Sequence, residues 1–182
     1  MIRQEDKTSL LKLARDSIET FFSGKEPNTE KVKKFSEKQG VFVTLKKNGH
    51  LRGCIGYPEP YFPLNLAIIN SARAAAFEDH RFAPVEKSEL NDIKIELSVL
   101  TVPELIEVKK PEEYLKKIKI GEDGLIIRGS RSGLLLPQVF VEYKSTPKTA
   151  LEMVCEKAGL RNNAWQDLRN KIYRFQAEIF HE

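Results

Sequence analysis

The stretch VFVTLKKNGHLRGCIGY, residues 41–57, decides how the first half of the chain folds. Two apolar runs flank Asn48-Gly49, and this dipeptide is the strongest short-range signal of a tight β-hairpin. The second run contains the hexapeptide LRGCIG, residues 51–56, in which a thiol stands between two glycines. Glycine weakens a regular strand. The hexapeptide therefore predicts either backbone bent for close packing or backbone left open to the approach of a ligand.

Periodic patterns on both sides of the hairpin predict the other elements of the first half. Apolar residues at helical spacing predict a helix over 7–23, with Gly24 as its stop signal. Pro63 suits the first turn of a second helix, which runs to about Phe77 and has a face rich in small residues. Strict alternation of apolar and polar residues over 93–99 predicts a half-buried strand.

The second half repeats this order. GLIIRGSRSGLLLPQV, residues 124–139, reads as a glycine-punctuated hairpin in which Pro137 restricts its strand to an edge or a bulge. Thr146-Pro147 opens a helix that Gly159 closes, and KIYRFQAEIF, residues 171–180, reads as one last strand. The repeated order predicts an internal duplication over about 41–102 and 118–180, although α+β domains also repeat such orders by chance. Tight hairpins join antiparallel strands, so we expect an α+β fold whose halves share one barrel-like sheet with helices outside.

Composition and charge narrow the class of protein. The chain has 182 residues, of which 41% are hydrophobic and 31% charged, as expected for a single globular domain over 1–182. Its 30 basic and 26 acidic residues are interleaved, which disfavours nucleic-acid binding. No apolar run is long enough for a membrane helix, and the polar start of the chain lacks a secretory signal, so a cytoplasmic protein is expected. The two cysteines, Cys54 and Cys155, lie far apart in the chain, and a zinc site needs about four ligands at short spacings, so no metal is expected. No phosphate loop or dinucleotide fingerprint is present in the sequence, so no cofactor is expected.

Cys54 is the candidate reactive group. In a regular strand Arg52 lies on the same face, and a guanidinium beside a thiol favours the thiolate, which acts as a nucleophile or a redox sensor. The alternative is that Cys54 is a small buried hydrophobe and the glycines mark a bulge. None of the histidines, His50, His80 and His181, stands at a known catalytic spacing from it. Cys155 belongs to an apolar helical stripe, and we expect it to be buried and inert.

Two further clusters contain polar groups suited to a site. FEDHRF, residues 77–82, gathers two carboxylates and two basic side chains, which either orient a polar ligand or end a helix with a local ion pair. Gln138 follows Pro137, and its amide either contacts a ligand or satisfies backbone groups that the proline leaves exposed.

Taken together, LRGCIG, SARAAAFEDHRF, IELSVLTVPE, GLLLPQV and CEKAGL, with Trp165 after it, resemble the AMMECR domain family over nearly the whole chain. The resemblance implies an α+β fold with two β-β-β-α-α-β repeats sharing a barrel-like sheet, also described as a large and a small lobe. Members of the family are of uncharacterised biochemical function, and the hexapeptide is their proposed functional site. The matching positions are Arg52, Gly53, Cys54, Ile55 and Gly56, with Asp79, Arg81 and Gln138 as companions. Relatives often read Asp-Pro-Arg-Phe where this chain has His80, so its turn lacks the rigidity of proline.

The resemblance also implies possible partners and a type of pathway, because relatives are often encoded beside or fused to Memo-type and radical-SAM proteins. We therefore expect an unknown small ligand or a protein partner, within a modification or redox pathway. One interpretation is a non-catalytic site around LRGCIG, where a partner chain docks by strand addition or a ligand binds. The other is an enzyme in which Cys54 acts as a nucleophile beside Arg52 on a small polar or anionic substrate.

Overall fold

A computed structural model describes residues 2–182, and these divide into two compact units. The first unit runs to Leu100 and includes Glu178–Glu182 from the end of the chain, whereas the second is Thr101–Ala177. Each unit contains one four-stranded antiparallel sheet with helices, so the class is α+β as predicted.

The first unit carries the hairpin and the two longest helices. Its elements are α1 (Gln4–Phe21), β1 (Gly40–Lys47), β2 (His50–Tyr57), α2 (Leu64–Phe77), β3 (Ile93–Leu100) and β8 (Ala177–His181). The sheet order is β2-β1-β3-β8, so β2, which contains LRGCIG, is an edge strand. Asn48 and Gly49 have φ values of +52° and +79°, which is the backbone of the predicted tight turn.

The hairpin contains a β-bulge at the third residue of β2. Leu45 pairs with Gly53 and Lys46 pairs with Leu51, which leaves Arg52 as the extra residue on β2. Beyond the bulge, every residue of β2 is shifted by one position against β1, so Cys54 lies opposite Thr44.

One face of this sheet packs against α1 and α2. Val41, Val43 and Leu45 of β1 alternate towards the core and are fully buried, as the strand period requires. Alanines fill much of the buried face of α2, including Ala67, Ala72 and Ala75. Their small side chains let the helix backbone approach the sheet closely. This close approach limits the size of the β2 side chains that face α2.

The second unit repeats the hairpin with shorter strands. Its elements are β4 (Glu104–Leu105), α3 (Tyr114–Lys117), β5 (Gly124–Arg128), β6 (Ser132–Leu135), α4 (Pro137–Glu142), α5 (Pro147–Lys157) and β7 (Lys171–Phe175). The sheet order is β4-β7-β5-β6, and α5 packs against β5 and β6. Thr146 caps α5 by accepting a hydrogen bond from the N–H of Thr149, as the Thr-Pro start predicts.

Three expectations from the sequence are wrong. The strands of residues 2–182 form two separate sheets rather than one barrel-like sheet. The last segment is not one strand, because it breaks at Gln176 into β7 in one sheet and β8 in the other. Pro137 does not interrupt a strand: β6 ends before it, and Pro137 is the first residue of α4, where its missing N–H costs nothing.

Candidate functional site around Cys54

The two glycines of LRGCIG serve close packing. A Cβ atom on Gly53 would lie 2.1 Å from the carbonyl oxygen of Ala75 in α2, and one on Gly56 would lie 2.2 Å from the carbonyl oxygen of Val41. Real side chains do not occupy such space, so both positions require glycine for packing alone. The sequence left two explanations for these glycines, close packing or access for a ligand, and the structure favours close packing at both. A valine at position 53 would disrupt the contact with α2.

Cys54 has its side chain on the face opposite to α2, because it follows Gly53 in the alternation of β2. The thiol is free and half-buried, and its Sγ atom lies 3.3 Å from Oγ1 of Thr44 on the neighbouring strand. The backbone N–H and C=O of Cys54 point to the open edge of the sheet, where a further strand would pair.

Asp79 and Arg81 occupy that edge. Oδ2 of Asp79 accepts a hydrogen bond of 2.8 Å from the N–H of Cys54, and Nη2 of Arg81 donates one of 3.2 Å to the Cys54 carbonyl. The two side chains also bind each other, with Nε of Arg81 at 2.9 Å from Oδ1 and Nη2 at 2.7 Å from Oδ2. We call Asp79 with Arg81 the first clasp. It gives Cys54 the donor and the acceptor that a neighbouring strand would supply.

Electrostatics hold the first clasp in its charged form. The side chain of Asp79 is only 4% exposed, whereas that of Arg81 is 56% exposed. Hydrogen bonds from the Arg81 guanidinium, and then from the backbone N–H groups of Cys54 and Arg81, hold the pKa of Asp79 well below its usual range in spite of burial. Asp79 in turn raises the pKa of Arg81. The carboxylate is therefore ionised whenever the protein is folded under ordinary conditions.

Arg52 is engaged elsewhere. Its guanidinium binds both oxygens of Glu89, at 3.1 and 2.9 Å, and donates to the carbonyl oxygens of Ala83 and Pro84. The guanidinium is the main reason that the pKa of Glu89 falls to about 2, and Lys47 adds to the effect. The expectation that Arg52 shares a face with Cys54 assumed a regular strand, and the bulge at Arg52 interrupts that alternation. Arg52 instead fixes the segment after α2 to the hairpin.

The remaining predicted site residues have separate positions. Ile55 packs against the core of the first unit, and His80 is exposed in the turn between Asp79 and Arg81. Gln138 belongs to the second unit, on α4, and its Oε1 atom is buried without a hydrogen-bond partner among residues 2–182. Cys155 is fully buried in the second core, where burial raises the pKa of its thiol, as expected for an inert cysteine.

Sequence reasoning missed two residues at this site and two in the second unit. Thr44 contacts the thiol and Glu89 holds Arg52, and neither lies near its partner in sequence. Asp167 and Arg169 form a second clasp with the same spacing as the first, and the repeated pattern Asp-x-Arg in DHR and DLR was a signal that the sequence did contain. Within residues 2–182 no group of three or more His, Cys, Asp or Glu side chains is arranged to hold a metal ion.

The same chain matches known proteins along its whole length. The model of the AMMECR1 family matches residues 11–180. The chain belongs to the AMMECR1 family. A protein of Methanothermobacter thermautotrophicus is 48% identical over 99% of this chain and 95% of its own length. A protein of Thermococcus onnurineus is 50% identical over 100% of this chain and 92% of its own length.

A solved structure gives the same result for the fold. The crystal structure of an uncharacterized protein from Pyrococcus horikoshii is 46% identical to this chain and superposes with a TM-score of 0.90, covering 100% of this chain and 93% of that one. These AMMECR1 relatives carry no assigned activity in their names, in agreement with the family's description as uncharacterised. Across residues 2–182, every helix is too short or too polar to span a bilayer.

Proposed function

We propose that the LRGCIG segment, with the first clasp, forms a ligand-binding site in which the thiol of Cys54 and the exposed side of Arg81 contact the ligand. In this role Cys54 and Arg81 touch the ligand, whereas Asp79 and Arg52 position the backbone. Gly53, Ile55 and Gly56 support the site through packing.

The observation that carries this proposal is that both backbone groups of Cys54 are bound by one buried carboxylate and its arginine. An edge strand needs no such device to be stable, because water satisfies its outer N–H and C=O groups. A clasp at this single residue fixes the direction of one thiol, and binding sites gain affinity from groups that are held in place before the ligand arrives.

The free side of Arg81 indicates what kind of group the ligand presents. Nε and Nη2 are used by Asp79 and Cys54, and Nη1 makes no hydrogen bond with residues 2–182. Arginine nitrogens bind carboxylate and phosphate oxygens well. We therefore propose that the ligand places an anionic oxygen at Nη1 while another part of it lies against the thiol.

The clasp also argues against docking of a partner strand at Cys54. Strand addition requires free N–H and C=O groups at the edge, and at this residue both are already bound within the first unit. A partner that added a strand here would have to displace a side chain that is almost fully buried.

Alkylation of the native protein tests the proposal. Iodoacetate and iodoacetamide share a reactive group and differ in charge, so the ratio of their rates at Cys54 reports the attraction of an anion. We expect Arg81→Gln to lower the ratio of iodoacetate to iodoacetamide rates several-fold, because the cation near the thiol is removed. Arg169→Gln is the matched control, since it removes an arginine from the second clasp, and it should leave the ratio unchanged.

Two results would contradict the proposal. If Cys54 reacted only after unfolding, the thiol would be a packing residue. If Arg81→Gln and Arg169→Gln had the same effect on the ratio, the first clasp would not recognise anions.

A catalytic role for Cys54 is the second candidate, and the contact with Thr44 favours it. A hydroxyl 3.3 Å from Sγ can donate a hydrogen bond that stabilises the attacking thiolate once the thiol has lost its proton to solvent. In this version a covalent adduct forms between Sγ and an electrophilic substrate. Incubation of wild-type protein with a cell extract of small molecules, followed by intact-mass measurement, should then give an adduct that Cys54→Ser abolishes, whereas Thr44→Val should slow its formation without preventing it.

We further propose that the two hairpin units arose by duplication within one domain over 1–182. Supporting this, the orders β2-β1-β3 and β6-β5-β7 are the same, and Gly133 of β6 lies against Ala158 as Gly53 lies against Ala75. This makes Gly133 the counterpart of Gly53. A cytoplasmic location, and a partner among Memo-type or radical-SAM proteins, stay predictions from the sequence.

A further inference from the structure

A second candidate site lies wholly in the second unit. A groove of about 540 Å³ is bordered by the end of β4 and the residues after it, the turn that leads into α3, and the start of β7. Its volume falls within the range that small organic ligands occupy, roughly 300–1,000 Å³. The groove does not include any residue of LRGCIG or of either clasp.

The floor of this groove is apolar. Ile106 and Tyr114 are almost fully buried beneath it, and Val108 and Leu168 are half-buried against the same core. Leu105 of β4 is 42% exposed, and its apolar side chain faces the groove where a polar side chain would be expected. Such a floor favours a ligand with a flat apolar body.

The rim is positively charged. Lys109, Lys117 and Lys171 line the groove together with Glu107 and Glu113, so ammonium groups outnumber carboxylates. Lys109 and Lys171 form no ion pair with residues 2–182, and Lys117 donates to the backbone carbonyl of Glu107 at 2.6 Å rather than to a carboxylate. Elsewhere in the chain many lysines are paired, among them Lys12, Lys33, Lys46, Lys47 and Lys148. Three ammonium groups against two carboxylates leave the rim with a net positive charge of one.

We propose that this groove binds a small amphiphilic organic anion, with its apolar body on Leu105 and Leu168 and its anionic group between Lys109 and Lys171. The ligand belongs to the class of aromatic or acyl carboxylates, sulfonates and phosphates. The inference is independent of the role proposed for Cys54, since no residue is shared.

A pair of fluorescent probes tests it. The probe 8-anilinonaphthalene-1-sulfonate has an apolar body and an anionic group, and N-phenyl-1-naphthylamine has a similar body without the charge. With the native full-length chain at low salt, we expect the sulfonate to bind at one site and more tightly than the neutral probe. Leu105→Glu should abolish the binding of both probes, because it puts a charge in the apolar floor.

Charge variants assign the anionic subsite. Lys109→Gln with Lys171→Gln should weaken sulfonate binding about fivefold, since each exposed pairing contributes a modest amount, and should leave the neutral probe unaffected. The matched control is Lys148→Gln with Lys157→Gln, which removes the same charge from α5 outside the groove. Equal affinities of the two double variants for the sulfonate, equal affinities of the two probes for the wild type, or unchanged binding to Leu105→Glu would each overturn the proposal.

Discussion

The two clasps have the same local geometry and different surroundings. In each, an aspartate two residues before an arginine accepts from its Nε and Nη2 atoms and from its backbone N–H, with the Nη2 contact at 2.7 Å in both. The side chain of Asp79 is 4% exposed and that of Asp167 is 41% exposed, whereas the arginines are 56% and 91% exposed. Among residues 2–182, only the first clasp forms hydrogen bonds to a neighbouring strand, through Cys54.

The Asp-x-Arg sequence is therefore sufficient to form the ion pair, but it does not determine whether that pair also binds a neighbouring strand. The pKa of Asp167 is lowered to about 2 by Arg169, so a lowered carboxyl pKa occurs in both clasps and does not distinguish them. In the first clasp, the aspartate is buried and the pair binds the backbone of Cys54 on β2, so the same motif there fixes the position of one residue.

The largest effect should come from the glycine that lets α2 approach β2. Gly53→Val places a Cβ atom 2.1 Å from the Ala75 carbonyl oxygen, so the helix must move, and we expect a loss of stability of about 3 kcal/mol or more in urea denaturation. Gly133→Val should also be strongly destabilising, because its Cβ atom would lie 2.6 Å from the backbone nitrogen of Ala158. Leu51→Val is the control for valine on this strand, since Leu51 is exposed.

A tolerated Gly53→Val would show that the helix and the strand separate easily in solution. The first clasp would then be supported by a looser hairpin than its hydrogen bonds indicate, and the packing explanation of the hexapeptide would be wrong.

The next effect separates the two carboxylates. Asp79→Ala leaves the N–H of Cys54 without its charged acceptor in a half-buried place, and we expect a loss of about 2 kcal/mol in the free energy of unfolding. Asp167→Ala removes an exposed partner of Arg169 and should cost much less. Urea denaturation of both variants at neutral pH measures the difference, and equal losses would mean that burial of the first clasp has no energetic consequence.

Acid should act on the first unit through Glu89. Its pKa is about 2 in the folded protein against a usual 4.5, so it contributes stability that is fully present above pH 4.5 and is lost as the pH falls towards 2. Glu89→Gln should therefore reduce the difference in stability between pH 6 and pH 3. Asp167→Asn is the control, because Asp167 and Arg169 are exposed, and solvent screening leaves such a pair little effect on stability. An undiminished difference in Glu89→Gln would show that groups other than Glu89 cause the loss of stability in acid.

The two cysteines give a smaller contrast. Cys155→Ala removes buried volume from the second core and should cost about 1 kcal/mol, whereas Cys54→Ala at the half-buried position should cost less. Under native conditions iodoacetamide should modify Cys54 and leave Cys155 intact, as mass spectrometry of peptides would show. Modification of Cys155 before unfolding would contradict the burial of that thiol.

The sequence was sufficient where a local signal controls the backbone. Asn48-Gly49 predicted the hairpin because both residues tolerate the positive φ of a tight turn. Proline predicted the starts of α2 and α5 because its ring fixes φ whatever surrounds it. The family resemblance predicts a site at LRGCIG from the same kind of signal, since the hexapeptide is a local string, and this location stays a prediction. The helix over 7–23 was also predicted, with its start three residues late.

The sequence was insufficient where distant contacts decide. A tight turn alone would pair Gly53 with Thr44, and only the bulge at Arg52, drawn towards Glu89, shifts Cys54 to that partner. The break at Gln176 was missed because apolar alternation continues through it, although the strands on its two sides join different sheets. The bulge at Arg52 and the break at Gln176 both depend on contacts with residues far away in the chain. The periodicity of a local segment contains no information about such contacts.

The smallest effect tests the contrast directly, by placing a thiol where no clasp holds it. Leu134 follows Gly133 on the edge strand β6 as Cys54 follows Gly53 on β2, and it lies opposite Ile126 rather than a hydroxyl. In a Cys54→Ser background, Leu134→Cys should change stability little, because Leu134 is only partly buried. Its ratio of iodoacetate to iodoacetamide rates should resemble that of a free thiol and should not respond to Arg169→Gln, since the second clasp makes no hydrogen bond to β6 among residues 2–182. If the new thiol showed the same preference for the anionic reagent as Cys54, attraction of anions would be a property of the basic protein surface, and the first clasp would have no special part in it.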